Sequence, residues 1–203
     1  MRIMTTSNAF YKNSQSIHNG AKYNRQTNRR FAEISSASAD EEVHRKHYSI
    51  TGVGQRSKVT CKTNTNHTLE ADIPTKMGGA DSAPQPVEHL LAALLGCTQA
   101  TAVYVGRMMT PRLLIDKIDF EIDAYRDERG ALSLPITEAP PIPARLQRVS
   151  GSVVVHFKDG VDVSDEQLRI LGEQTEQRCP VANMMHASGC IMDMKWKNGA
   201  DTK

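Results

Sequence analysis

Acidic residues are absent from the first 32 positions of this 203-residue chain, although six basic residues fall there. The rest of the chain holds 19 basic against 23 acidic residues, so the net charge of +2 conceals a basic N-terminus and a mildly acidic remainder. A nucleic-acid-binding domain concentrates positive charge on the fold itself, and this distribution therefore argues against a nucleic-acid partner.

Long apolar runs are also absent, and the N-terminus lacks the continuous apolar segment of a secretory signal. The most apolar stretch, residues 90–106, is uncharged but contains Cys, Thr, Gln and Tyr, and it is shorter than the roughly 20 residues of a membrane span. We therefore expect no membrane partner. The apolar content of 39% is nevertheless enough for a packed core.

Cysteine is scarce, with only Cys61, Cys97, Cys179 and Cys190 present. Without a secretory signal we expect these residues to remain thiols, so a functional pair is catalytic rather than structural. A zinc site formed by Cys179, His186 and Cys190 is not predicted, because six and three intervening residues match no short metal-binding hook. No metal or other cofactor is expected.

Residues 1–45 are predicted to be a tail, because they are rich in Asn, Ser, Thr and Arg and poor in large apolar groups. A basic, acid-free and Ser-containing segment suits an organellar transit peptide, and it equally suits a plain disordered extension. The expected location is cytoplasmic or mitochondrial. The folded domain is predicted over residues 46–203.

Short β-branched segments and helical spacing alternate along this domain. They predict strands over residues 47–53, 58–63, 67–73, 117–125, 149–157 and 190–197, and helices over residues 86–108, 164–178 and 181–187. Ser164 and Gln167 form a capping box at the second helix, and Asp159-Gly160 is a predicted turn. Residues 129–148, with four prolines, are predicted to be a long loop. This order indicates an α+β domain with mostly antiparallel sheet.

The first predicted helix is apolar around its whole circumference, and it begins with Pro86 and Glu88, which suit a first turn. A helix of this kind belongs in the middle of a domain, covered by sheet or by another subunit. A single domain of this size has too few residues to bury the whole helix, and we therefore expect a homodimer.

Two cysteines occupy positions where a thiol is expected to be reactive. Cys97 lies on the apolar helix, where it either fills space or acts as a nucleophile. Cys179 precedes Pro180 at a predicted helix start, where backbone N–H groups and the adjacent Arg178 are expected to lower the pKa of its thiol. The alternative role for Cys179 is that of a polar helix cap.

Two motifs carry a resemblance to a known family, and they are Gly78-Gly79-x-Asp81-x-x-Pro84-x-Pro86-x-Glu88-His89-Leu90-Leu91 running into Cys97, and Arg178-Cys179-Pro180-Val181. Through them, residues 46–196 resemble the OsmC/Ohr superfamily of organic hydroperoxide reductases. The resemblance is closer to the general OsmC-like branch than to the Ohr branch.

The resemblance implies a fold in which antiparallel sheets wrap long central helices in an intertwined homodimer, with active sites at the dimer interface. It assigns Cys97 as the peroxidatic cysteine and Cys179 as the resolving one. It makes Glu88 the acid that holds an arginine against the thiolate, and Arg56 is the best match to that arginine. Glu88 and Cys97 lie half a helical revolution apart, so Glu88 acts through the arginine, through a neighbouring subunit, or only as a helix-start acid.

The predicted function is therefore a thiol-dependent peroxidase for organic hydroperoxides, active in oxidative stress defence. A thiolate attacks the O–O bond, the resulting sulfenic acid condenses with a second cysteine, and an external dithiol reduces the disulfide. An arginine suits thiolate activation because it remains charged when partly buried. Cys61 and Cys190 are expected to be core thiols. The alternative function is a non-enzymatic OsmC-like dimeric binding or scaffold protein.

Overall fold

The computed structural model describes residues 44–158 and 161–201. The predicted tail lies outside the described residues except for its last two positions, and so does the predicted Asp159-Gly160 turn. The described chain divides into a small unit, residues 44–50 with 63–66, and a main unit that contains the remaining positions. Within the small unit, the backbone N–H of Asn64 donates to the carbonyl of Ser49 at 3.1 Å.

Within the described residues, ten α-helices and β-strands follow one another in the order expected from the sequence, with one addition, and 3-10 helices lie at Thr75–Met77 and Gly199–Asp201. The ten elements are β1 Ile50–Gln55, β2 Lys58–Thr63, β3 Thr68–Ala71, α1 Pro86–Met108, β4 Ile115–Tyr125, α2 Arg129–Leu132, β5 Arg148–Phe157, α3 Asp165–Arg178, α4 Pro180–Ala187 and β6 Ile191–Asn198. The predicted α+β class is confirmed. The addition is α2, a single turn within the predicted loop, where Gly130 packs so closely on the Ile142 carbonyl that a Cβ would lie 2.8 Å from it.

The strands form two three-stranded sheets, ordered β1-β2-β3 and β4-β5-β6. β5 pairs with β4 antiparallel and with β6 parallel. A parallel neighbour requires a crossover connection, and α3 and α4 provide it. The alternation predicted for β4 is present, since Ile118 is buried and Phe120, Ile122 and Ala124 are half-buried between exposed charged residues.

The Gly-rich motif builds the loop that leads into α1. Gly78 has a φ of +90°, a conformation that favours glycine. A Cβ on Gly79 would lie 1.9 Å from the Ile73 carbonyl oxygen, so only glycine fits this close approach. The backbone N–H of Asp81 donates to the same carbonyl at 3.1 Å. The motif is therefore explained by the close packing of the loop on itself.

A buried carboxylate, Asp72, holds this loop in place. One of its oxygens accepts from Ser57 Oγ and the backbone N–H of Ile73, both at 2.8 Å. The other accepts from the backbone N–H of Ala80 at 3.2 Å, and from the N–H and hydroxyl of Ser82 at 3.1 and 2.9 Å. These bonds hold the pKa of Asp72 well below its ordinary value, with the Ile73 N–H as the largest cause.

Asp72→Asn is predicted to destabilise the protein at neutral pH, because an amide offers one acceptor atom where five donated bonds need two. A carboxyl with a lowered folded-state pKa stabilises the fold above its ordinary pKa of about 4, and this contribution is lost as the pH falls below that value. The stability gap between wild type and variant should therefore narrow on acidification, which urea unfolding at several pH values measures. Asp81→Asn, an exposed change in the same loop, is the control. A gap independent of pH would contradict this role.

Helix α1 buries one face only, formed by Leu94, Thr98, Ala102, Val105 and Gly106. Its C-terminal half packs in a cluster with α3, β4 and β5, whose buried members are Ala102, Val105, Leu113, Ile118, Val153, Val155, Leu168 and Leu171. Its N-terminal half packs in a second cluster, whose buried members are Leu94, Leu146, Val149, Cys179, Ala182, Met185 and Cys190. Truncating a buried leucine such as Leu94 to alanine costs about 2–5 kcal/mol of unfolding free energy.

The opposite face of α1 is apolar and exposed. Leu90 is 42% exposed and Tyr104 is 57% exposed, and the small residues Ala93, Gly96 and Ala100 are exposed between them. The β1–β3 sheet is also poorly covered, since Ala71 is its only buried residue among the described positions. Burial of α1 on all sides, as predicted, thus does not occur within one chain.

By length and composition alone, α1 would qualify to cross a membrane, with 28% of its most apolar window buried. One such helix is weak grounds for a membrane span, because the core helix of a domain satisfies the same criterion. Here α1 contacts α3, α4 and β4 through its buried face.

Ala100→Arg is predicted to weaken self-association of the chain. In the expected homodimer the exposed apolar face of α1 is covered, and an unpaired buried charge costs several kcal/mol, so dissociation should rise roughly a hundredfold or more. Light scattering across a concentration series measures this effect. Ala200→Arg, another exposed alanine, is the control. A wild-type protein that is monomeric at low micromolar concentration would contradict the dimer.

Candidate functional site

Cys179 lies at the corner between α3 and α4, where it ends one helix and begins the next. Its backbone N–H donates to the Thr175 carbonyl at 2.9 Å, which closes α3. Its Sγ accepts from the backbone N–H of Ala182 at 3.4 Å, and Pro180 occupies the first position of α4. The proline cannot continue α3, and its fixed φ suits a helix start. Cys179 is completely buried.

Cys97 approaches this corner from α1. It is half-buried and packs against the cluster that contains Cys179, one position before the buried Thr98. The two thiols therefore belong to one packed region, because Cys179 is a buried member of the cluster that Cys97 contacts. All four cysteines are free thiols. The structure therefore brings together two cysteines that are separated by 81 residues in sequence.

The environment gives the two thiols different properties. Burial is the largest influence on Cys179, and with the interaction with Cys97 it raises the pKa of the Cys179 thiol above its ordinary value. The backbone N–H groups of Ala182 and Val181 act in the opposite direction and are outweighed. Cys179 is thus a buried, protonated thiol at neutral pH, whereas the half-buried Cys97 is the more accessible of the pair.

This result corrects the expectation that the helix start and Arg178 lower the pKa of Cys179. The N–H groups are present as predicted, but desolvation in the core disfavours the thiolate more strongly than they favour it. Arg178 does not help, because its guanidinium turns back along α3 to the carbonyl and side-chain oxygens of Gln174.

A cleft of about 690 Å³ opens beside the N-terminal half of α1, and we call it the α1 cleft. It is lined by Pro74, Lys76, Met77, Gln85, Val87, Glu88, Leu91, Ala124, Arg126, Glu128, Leu132 and Leu146. Leu146 belongs to the cluster that contains Cys179, and Leu91 and Ala124 pack against that cluster together with Cys97. The cleft and the thiol pair therefore share a wall.

Glu88 lines this cleft and is exposed. Its carboxylate accepts from the backbone N–H of Gln85 at 2.7 Å and completes a capping box at the start of α1. Nine residues along the helix place Cys97 about 13 Å further on. The structure thus shows the helix-start role, one of the three alternatives left open by the sequence, and does not bring Glu88 to the thiols within one chain.

Arg56 lies elsewhere, in the β1–β2 turn, with a φ of +55°. It is exposed and lines a separate depression of about 660 Å³ with Asp72 and Ser82. Within the described chain this depression shares no lining residue with the α1 cleft. Within one described chain, Arg56 therefore does not line the cleft at α1.

The remaining cysteines occupy ordinary positions. Cys190 is 5% exposed and sits in the same cluster as Cys179, and burial raises the pKa of its thiol. Cys61 is half-buried on β2, facing Gly52. Among residues 44–158 and 161–201 no three His, Cys, Asp or Glu side chains are grouped as a metal ion would require.

Solved structures share this fold at low sequence identity. An OsmC-like protein from Mycoplasma pneumoniae matches with a TM-score of 0.59 and 18% identity, over 75% of this chain and 97% of that one. An OsmC-like protein of unknown function from Vibrio cholerae matches with a TM-score of 0.59 and 12% identity, over 75% and 99%. An organic hydroperoxide resistance protein OsmC from Legionella pneumophila matches with a TM-score of 0.51 and 15% identity, over 75% and 96%. The chain thus shares the fold of these OsmC and OsmC-like proteins.

A family model places the chain more narrowly. Residues 79–195 match the model of OsmC-like proteins, and this segment is more than half of the chain. The protein therefore belongs to the OsmC-like family, and the resemblance inferred from the motifs is confirmed. No curated protein matches the sequence.

Cys97 is predicted to be alkylated severalfold faster than Cys179 by iodoacetamide at neutral pH. The more accessible sulfur is reached first, and the raised pKa of Cys179 leaves little of the reactive thiolate. Peptide mass spectrometry over a time course resolves the two sites. Faster labelling of Cys179 in the folded protein would contradict both the greater accessibility of Cys97 and the raised pKa of Cys179.

Proposed function

We propose that the protein is a thiol-dependent reductase of organic hydroperoxides, with Cys97 as the attacking residue and Cys179 as the resolving residue. The observation that carries this proposal is that Cys97, on α1, packs against the buried cluster that contains Cys179 at the start of α4. Membership of the OsmC-like family supports it, as does one neighbour of the same fold named as an organic hydroperoxide resistance protein.

The chemistry proceeds in three balanced steps. The Cys97 thiolate attacks one peroxide oxygen, the O–O bond breaks, and the products are the Cys97 sulfenic acid and an alkoxide, which takes a proton to become the alcohol. The Cys179 thiol then attacks the sulfenic sulfur, and a disulfide forms as water leaves. An external dithiol reduces this disulfide by exchange and is itself oxidised.

The unequal burial of the two sulfurs suits this division of labour. The substrate must reach the attacking sulfur, and Cys97 is the half-buried member of the pair. The resolving thiol needs to meet only the sulfenic acid, so a completely buried Cys179 is sufficient. Its protonated state at neutral pH also prevents it from competing for the peroxide, because the thiolate is the nucleophile.

A homodimer completes the proposal. The exposed face of α1 and the uncovered β1–β3 sheet are the two surfaces that a second copy would cover. A partner subunit could also bring Arg56, and with it a permanent positive charge, to the Cys97 of the first copy. Such a charge favours the thiolate that the first step requires.

Cys97→Ser is predicted to abolish reduction of cumene hydroperoxide in the presence of dithiothreitol, because the remaining thiols are buried or lie away from the α1 cleft. Cys179→Ser is predicted to consume about one equivalent and then stall, drifting from sulfenic to sulfinic acid. Peroxide loss measured over time separates the two variants.

Cys61→Ser is the control and should retain wild-type turnover. Sustained turnover by Cys97→Ser would overturn the mechanism. If the wild-type dimer consumes no hydroperoxide at all, the alternative of a non-enzymatic dimeric binding or scaffold protein takes its place. That alternative draws on one observation, which is that neither Glu88 nor Arg56 contacts the thiols within a single chain.

A further inference from the structure

Arg126 carries a charge that the described residues leave unpaired. It is half-buried at the end of β4, and within residues 44–158 and 161–201 no carboxylate forms an ion pair with it. The neighbouring Asp127 is engaged by Arg129 at 2.6 Å. Charge-assisted bonds to an anion are the strongest that a guanidinium makes, and the described residues leave Arg126 available for such a partner.

The surroundings of Arg126 define what kind of anion fits. Its cleft is walled by the apolar side chains of Met77, Val87, Leu91, Leu132 and Leu146. The charged lining residues are Lys76, Glu88, Arg126 and Glu128, and the Glu88 carboxylate is held by the Gln85 N–H. A small inorganic anion would leave the apolar wall unused. An apolar chain with an anionic end uses both the wall and the guanidinium.

The position of the cleft relative to the thiols sets the length of such a ligand. Leu91, which lines the cleft, precedes Cys97 by six residues on α1, or about 9 Å along the helix axis. A ligand that extends from this part of the cleft along α1 to Cys97 therefore needs an apolar chain on the order of 9 Å or more.

We propose that Arg126 is a specificity-determining residue that binds the carboxylate of a long-chain hydroperoxide while the apolar chain lies along the α1 cleft toward Cys97. The delivery of the peroxide to Cys97 rests on the proposed hydroperoxide reductase function. The binding of the carboxylate by Arg126 does not depend on that function. A guanidinium binds a carboxylate in bidentate fashion, which a lysine does not reproduce.

The kinetic test compares a long-chain hydroperoxy carboxylic acid with its methyl ester. In the wild type the acid should have the lower KM. Arg126→Gln should raise the KM for the acid roughly tenfold and leave its kcat and the constants for the ester unchanged. Arg126→Lys should restore only part of the difference. Arg112→Gln, an exposed arginine outside the cleft, is the control. Equal changes for acid and ester, or none, would overturn the proposal.

A binding test separates this proposal from the catalytic one. The corresponding long-chain hydroxy acid, which cannot react, is titrated into the Cys97→Ser protein by calorimetry, with its methyl ester as reference. The acid should bind, and adding Arg126→Gln should weaken it roughly tenfold without affecting the ester. Equal affinity with and without Arg126 would overturn the anion site. Arginine-dependent binding with no hydroperoxide turnover would overturn the reductase function and leave the anion site standing.

Discussion

The half-burial of one apolar helix is the constraint on which the rest of the molecule depends. One apolar face of helix α1 is buried against α3, α4 and the β4–β6 sheet. Because α4 covers the half of α1 that carries Cys97, the α3–α4 corner brings Cys179 to it. The same packing leaves the opposite face of α1 uncovered, which is where a second copy of the chain is expected to bind. The approach of Cys97 to the Cys179 cluster and the expected self-association thus depend on the same helix.

Burial also determines how the two thiols differ. A helix N-terminus favours a thiolate, yet the core position of Cys179 removes more hydration energy than two backbone N–H groups return, and the pKa of this thiol rises. The Cys179 thiol is therefore kept protonated by the core that positions it. Cys97 is the more accessible thiol, and it lies near the α1 cleft, some of whose lining residues pack in the cluster that contains Cys179. In this account packing separates the roles of two chemically identical side chains.

The sequence predicted those features that depend on neighbouring residues. Period-two alternation located β4, the Ser164–Gln167 capping box located the start of α3, and Pro180 located the break before α4. The sequence could not predict that Asp72 would accept hydrogen bonds from residues up to fifteen positions away. Nor could it predict that Arg126 would line a cleft formed by separate elements. Those properties arise from contacts between distant segments, which leave no local pattern. The environment of Cys179 was mispredicted for the same reason, since its burial comes from α1 and β5.

The pairing of Cys97 with Cys179 is the central claim, and the products of a single oxidation test it most directly. The fully reduced protein is treated with one equivalent of an organic hydroperoxide, quenched with an alkylating agent and mapped by mass spectrometry. A disulfide requires the two Cα atoms to lie within about 7 Å, which the contact between α1 and the α3–α4 corner is expected to allow. The predicted product is an intrachain Cys97–Cys179 disulfide with Cys61 and Cys190 alkylated. A disulfide between any other pair, or recovery of Cys97 as a free thiol after the peroxide is consumed, would contradict the account.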